Sequence, residues 1–142
     1  MNAPSRLADL GPQRHIIVAD EDPKVVTFIV LLLRQDGHAV FHAYDGLAAT
    51  ELAFVLPRVD LVISNTRVGG LPGVGLIYQL RSRNPELPIL YIANIDRSTP
   101  AIESKLPRDV PIIREPFTPE ELRRVVRQLL AGTQGLKLDI GT

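Results

Sequence analysis

Short apolar runs alternate along this chain with longer stretches whose apolar positions recur at three- and four-residue spacing. His15 to Ala19 is the first short run and predicts a strand. Asp22 has the character of an N-cap. Pro23 suits the first helical position, where its fixed φ helps and its missing amide proton costs nothing. The helix so begun extends to about Asp36, and Gly37 can end it in the left-handed conformation. Residues 38–42 predict a second strand, and Gly46 to Val55 a helix that Pro57 ends. Residues 60–64 predict a third strand and Leu71 to Arg83 a third helix, with Leu76, Ile77 and Leu80 on its inner face. Pro88 to Ala93 is a fourth strand, Thr99 to Lys105 a short helix, and Val110 to Ile113 a fifth strand. The last helix has the clearest start: Thr118 and Glu121 match a capping box with Pro119 between them. Leu122, Val125, Val126, Leu129 and Leu130 then keep helical spacing.

Five strands thus alternate strictly with five helices. The third and fourth strands are apolar almost throughout, as parallel strands covered on both faces require. The expectation from the pattern is an α/β, doubly wound (βα)5 fold with a five-stranded parallel sheet. Residues 1–13, with Pro4, Gly11 and Pro12, are expected as a flexible arm. Residues 14–132 form the domain and 133–142 a tail, in which Leu136, Leu138 and Ile140 alternate enough to allow a short strand. No output domain is expected after the last helix.

Composition narrows the function. The 142 residues suit one domain, and 45% hydrophobic content supports an ordinary core. Formal net charge is zero, so a nucleic-acid partner is not expected. There is no cysteine, which excludes disulfides and thiolate metal sites. The N-terminus has no signal-peptide pattern, and the apolar run Val25 to Leu33 is interrupted by Thr27 and too short to cross a membrane. A cytoplasmic protein is expected. His15, His38 and His42 show no metal-ligand spacing and are read as structural or solvent-facing. The glycines from Gly69 to Gly75 have GxxGxG spacing, yet they do not follow the first strand and Pro72 removes a donor. A flexible loop accounts for them better than a phosphate cradle.

Four segments in order, IIVADEDPKV, VDLVISNTRVGGLPGVGL, LPILYIA and VPIIREPFTPEEL, resemble the receiver domain of two-component response regulators over residues 15 to 131. The resemblance implies a flavodoxin-like fold with strand order 2-1-3-4-5 and a pocket at the carboxyl ends of the strands. There an acidic pair binds Mg²⁺ and an aspartate accepts a phosphoryl group from a histidine kinase. On this chain the acidic pair falls on Asp20 and Glu21, and the acceptor position on Asn65. The hydroxyl position falls on Ala93, the lysine position on Glu115, the switch aromatic on Ile112 and the loop proline on Gly69. Pro116 remains as a cis-peptide candidate.

An amide is neutral and a poor nucleophile, so Asn65 cannot attack phosphorus as an anionic oxygen does. It also coordinates a hard cation less strongly than carboxylate, so Mg²⁺ binding by Asp20 and Glu21 is expected to be weakened, and no other cofactor is implied. Asp20, Glu21 and Glu115 would crowd one pocket, and either Arg67 or a bound metal is expected to neutralise them. The alternative is that Glu115 points to solvent and the pocket is vestigial. Val26, Val30 and Leu31 make the first helix unusually apolar. They are read as a docking face for a kinase-type bundle, an output protein or a second copy, unless the arm or the tail covers them.

The expected function is a degenerate receiver that is not an enzyme and acts by protein–protein contact without phosphorylation. A second reading is a small Mg²⁺-dependent phosphatase resembling the haloacid dehalogenases. Asp20 would be its nucleophile and Asp22 its acid/base, with Ser64, Asn65 and Lys105 as later motifs.

Overall fold

The computed structural model describes residues 13–141, with side chains to Gly132. Apart from residue 13, the N-terminal arm lies outside the described residues, as do the side chains of Leu136, Leu138 and Ile140.

The backbone forms β1 (His15–Ala19), α1 (Pro23–Gln35), β2 (Ala39–Ala43), α2 (Gly46–Val55) and β3 (Leu61–Asn65). A small hairpin of β4 (Arg67–Val68) and β5 (Leu71–Pro72) follows, then α3 (Gly73–Arg83) and β6 (Ile89–Ala93). The chain closes with α4 (Pro100–Glu103), β7 (Ile112–Arg114) and α5 (Pro119–Gly141). Five strands make one sheet in the order β2-β1-β3-β6-β7, and every pairing is parallel. This is the expected doubly wound order, with the order of strand addition reversing between β1 and β3.

Side chains of a strand alternate between faces, and each face here has its own core. Ile16, Val18, Ile63 and Ile92 pack under α1 and α5. Ile17, Ala19, Val62 and Tyr91 pack under α2, α3 and the segment after α4. Local signals set the helix ends. The Asp22 carboxylate accepts from the Lys24 amide at 3.0 Å, and Gly37 has φ of 91°. Thr118 Oγ1 accepts from the Glu121 amide at 3.1 Å. Asp45 caps α2 through the Ala48 amide at 2.7 Å.

Two expectations need correction. The Gly69–Gly70 stretch is the two-residue turn of the β4–β5 hairpin, not a loose loop. Both glycines have positive φ, 59° and 84°, which matches the mirror-type turn that strand twist favours. Helix α3 therefore starts at Gly73, two residues later than expected. The Gly73 amide is already spent on the Thr66 carbonyl at 2.8 Å, which removes a further donor from any phosphate cradle.

The second correction concerns the docking face on α1. Val26 and Val30 are only 2% and 6% exposed and belong to the core under α1 and α5. Only Leu31, at 56%, faces outward. The reason is tertiary: α5 lies beside α1, tied by Arg123 Nε to Asp36 at 3.0 Å, and Phe117 packs against the half-exposed Phe28 with ring centroids 5.9 Å apart. The apolar stripe of α1 is wide because it meets both the sheet and α5. Exposed apolar side chains lie on α2 as well, at Leu47, Phe54 and Val55.

Candidate functional site

The reversal of strand order between β1 and β3 places the carboxyl ends of β1, β3, β6 and β7 around one polar cavity of about 230 Å3. Asp20 follows β1, Asn65 ends β3, Asn94 follows β6 and Glu115 follows β7. Of the residues expected there, Asp20, Glu21, Asn65, Arg67 and Glu115 line the cavity. Ala93 does not; its methyl group packs in the core with Tyr91. Ile112 is on the strand beside Tyr91 and is 36% exposed.

Asn65 is the centre of the arrangement. Its Nδ2 donates to Asp20 Oδ2 at 2.6 Å and to Glu115 Oε2 at 3.1 Å. Its Oδ1 accepts from the Thr66 amide at 2.6 Å. Two carboxylates can accept only from the NH2 end of an amide, so the neighbours dictate this orientation. Asn94 Nδ2 donates to Glu115 Oε1 at 3.3 Å, and Glu115 N bonds the Ala93 carbonyl at 3.0 Å. Glu115 therefore points into the cavity and not to solvent. The Thr66 hydroxyl donates to the Ile92 carbonyl at 3.0 Å and accepts from the Asn94 amide at 2.8 Å, which holds the loop after β6 in place.

The expected neutraliser, Arg67, has another task. Its Nη2 donates to the Gly70 carbonyl at 2.9 Å, within the hairpin. Arg97 pairs with Glu21 instead, at 3.2 Å, and the other Glu21 oxygen accepts from the Gly70 amide at 3.0 Å. Arg114, adjacent to Glu115 in sequence, turns away to a bidentate bond with Glu103 at 2.8 and 2.6 Å. Sequence reasoning missed Asn94, Asp96 and Arg97. The available signal was that the loop NIDR follows the fourth strand at the same end of the sheet.

The donor set does not fit a divalent cation. Both Asp20 oxygens accept hydrogen bonds, Oδ1 from the Asp22 amide at 2.9 Å. The Asn65 oxygen is turned to its own backbone, and Glu21 is held by Arg97. Among the described residues no group of three acidic or histidine side chains is placed to hold a metal ion.

Asp20 is 3% exposed, and burial, with the negative charge of Glu115 as a smaller cause, pushes its pKa up to about 6 against bonds from Asp22 and Asn65 that lower it. The folded state thus holds this proton more tightly than the unfolded chain. Its contribution is full below pH 4 and is lost as pH rises through about 6. We expect the stability of the wild type relative to Asp20→Ala to fall by about 2 kcal/mol between pH 4 and pH 7.5, allowing for water at the pocket mouth. Urea unfolding of both proteins across that range checks it, and a difference independent of pH contradicts it.

Residues 16–127 match the response regulator receiver domain family. This chain belongs to that family. As a receiver domain it is 29% identical over 136 residues to the probable transcriptional regulatory protein TcrX of Mycobacterium tuberculosis, covering 96% of this chain and 57% of TcrX. It is 29% identical over 120 residues to the transcriptional regulatory protein ZraR of Salmonella typhimurium, covering 84% of this chain and 27% of ZraR. The chain thus spans little more than half, or about a quarter, of these relatives' lengths. Among solved structures, the chemotaxis protein CheY4 of Vibrio cholerae superimposes with a TM-score of 0.74 at 21% identity, over 84% of this chain and all of CheY4. A response regulator receiver protein from Sinorhizobium medicae gives 0.75 at 26% identity, over 84% of this chain and 95% of that one.

The phosphatase reading gains no support. The Asp22 carboxylate caps α1 rather than serving the cavity as an acid/base, and the relatives are named as regulators. Among the described residues no helix is long and apolar enough to cross a membrane.

Proposed function

We propose that this receiver domain signals without accepting a phosphoryl group at Asn65. It acts through contact with another protein of a two-component or phosphorelay system, such as a histidine kinase or an output protein, and is not itself an enzyme. The observation that carries the reading is the Asn65 amide group donating to both Asp20 and Glu115. Where a phosphoacceptor needs an anionic oxygen and a neighbouring cation, the cavity offers a neutral group and an additional acid. The reversal is self-consistent: an amide with a carboxylate opposite keeps donor and acceptor matched, as an acid with a lysine opposite would. The exposed Leu47, Phe54 and Val55, spaced seven and eight positions apart to share one face of α2, support contact with a protein, since apolar exposure on one face carries a cost that a partner removes.

Acetyl phosphate with Mg²⁺ followed by intact mass tests the reading. We expect no phosphate on the wild type and none on Asn65→Asp, which still faces Glu115. The variant Asn65→Asp with Glu115→Lys restores both charges and should gain one phosphate. A stable one-phosphate adduct on the wild-type chain would overturn the proposal.

A further inference from the structure

A second, larger cavity opens beside the acidic one. It is a cleft of about 710 Å3 lined by the β4–β5 hairpin, the first turn of α3 and α4 with its flanking segments, within the size range of sites for small molecules and cofactors. Arg67, Arg97 and Lys105 line it, and no carboxylate does. Three cations on one cavity favour an anion there, and two of them, Arg67 and Arg97, also border the acidic cavity. Arg97 shares its charge with Glu21. Arg67 and Lys105 have no carboxylate partner among the described residues. The Nε of Arg67 is buried and has no acceptor among the described residues. Buried donors are rarely left so, and a turn of the Arg67 side chain toward the cleft would let an oxyanion satisfy it.

Apart from Thr66, whose hydroxyl is bonded to Ile92 and Asn94, the remaining lining is without polar side chains, and Val74 and Ile102 are both half-buried. Gly75 borders open space: a Cβ built there meets nothing within 4 Å, so a larger side chain has room to enter the cleft. A compact cleft that joins cationic and apolar walls suits a ring carrying phosphates better than an extended acidic peptide.

We propose that this cleft binds a phosphate-bearing small molecule of the nucleotide class. The phosphates meet Arg67, Arg97 and Lys105, and the base lies against Val74 and Ile102. Arginine forks match phosphate oxygens in geometry as well as charge. Because Arg97 also holds Glu21, the ligand competes for the group that neutralises the acidic cavity. That gives the domain a non-covalent means of setting its state. The inference does not rest on the chemistry of Asn65. Binding is read by calorimetry and phosphoryl transfer by mass, so either can fail alone.

Titration calorimetry on the full chain, without divalent cations, uses ADP, GDP, adenosine, guanosine and inorganic pyrophosphate as probes. At least one of the two nucleotides should bind one-to-one with a Kd below about 1 mM, and pyrophosphate at least about tenfold more weakly. The nucleosides should show no heat of binding. Lys105→Glu, at an exposed position, should weaken the nucleotide about tenfold or more. Gly75→Phe should fill the cleft and abolish binding with the thermal midpoint retained. If that variant fails to fold, Lys105→Glu decides. The proposal is overturned if neither nucleotide binds in the millimolar range, if pyrophosphate binds as tightly as the nucleotide, or if Lys105→Glu binds as the wild type does.

Discussion

Asn65→Asp is expected to lower the stability of the domain at pH 7.5 by about 3 kcal/mol, because hydrogen bonds to charged groups contribute about 1.5–3 kcal/mol each and two are lost. The Asn65 amide now donates to Asp20 at 2.6 Å and to Glu115 at 3.1 Å, inside a cavity where Asp20 and Asn65 are almost fully buried. The substitution removes both donors and adds a third carboxylate between two others. Like charges so placed cannot all ionise, so at least one pKa in the folded state rises well above its unfolded value. The sign follows from linkage. Protons bound more tightly by the folded state stabilise it at low pH, and that contribution disappears as pH rises. The deficit relative to wild type should therefore shrink towards pH 4. Millimolar Mg²⁺ should reduce it at pH 7.5, since three clustered carboxylates present hard oxygen ligands that the wild type lacks. Urea unfolding at pH 4.5 and 7.5, with and without Mg²⁺, measures all three effects. A variant as stable as the wild type at pH 7.5 without the cation would show that the Asn65 bonds contribute nothing.

Val30→Glu carries the second large effect. Read from spacing alone, Val30 belonged to a docking face, and a charge there should have cost binding and not folding. In the fold it is 6% exposed among Ile29, Leu33, Val125 and Val126. An ionised carboxylate at that position would have no partner, and the site would also lose the packing of a buried valine. The expected loss is about 4 kcal/mol or more, a large part of the stability of a domain this size. Chemical unfolding of Val30→Glu beside Leu31→Glu separates the two neighbours. The Leu31 side chain is exposed, so its replacement should change stability by less than about 0.5 kcal/mol. Equal losses for both variants would contradict the packing of α1 described above.

The contrast between Val30 and Leu31 shows where local pattern stops being informative. Helical spacing marks α1 as apolar, but the width of its buried stripe depends on α5, which lies some ninety residues later in the chain. The neutralising cation is a similar case. Arg67 is two residues from Asn65 and Arg114 is next to Glu115, yet the hairpin turns the first to Gly70 and α4 draws the second to Glu103. Arg97 reaches Glu21 across 76 positions because β1 and β6 end at the same edge of the sheet.

Taken alone, the order of residues determined the alternation of strands and helices, the caps at Asp22 and Thr118, the stop at Gly37 and the neutral group at the end of β3. Each of these rests on interactions within a few positions, or on the chemistry of one side chain. Only the tertiary structure decided that Glu115 turns inward to Asn65 and Asn94, that Ala93 leaves the cavity for the core, and that Arg67, Arg97 and Lys105 share a cleft. Those outcomes depend on which distant segments pack together, and burial of the two cores selects that pairing through many contacts of low individual specificity.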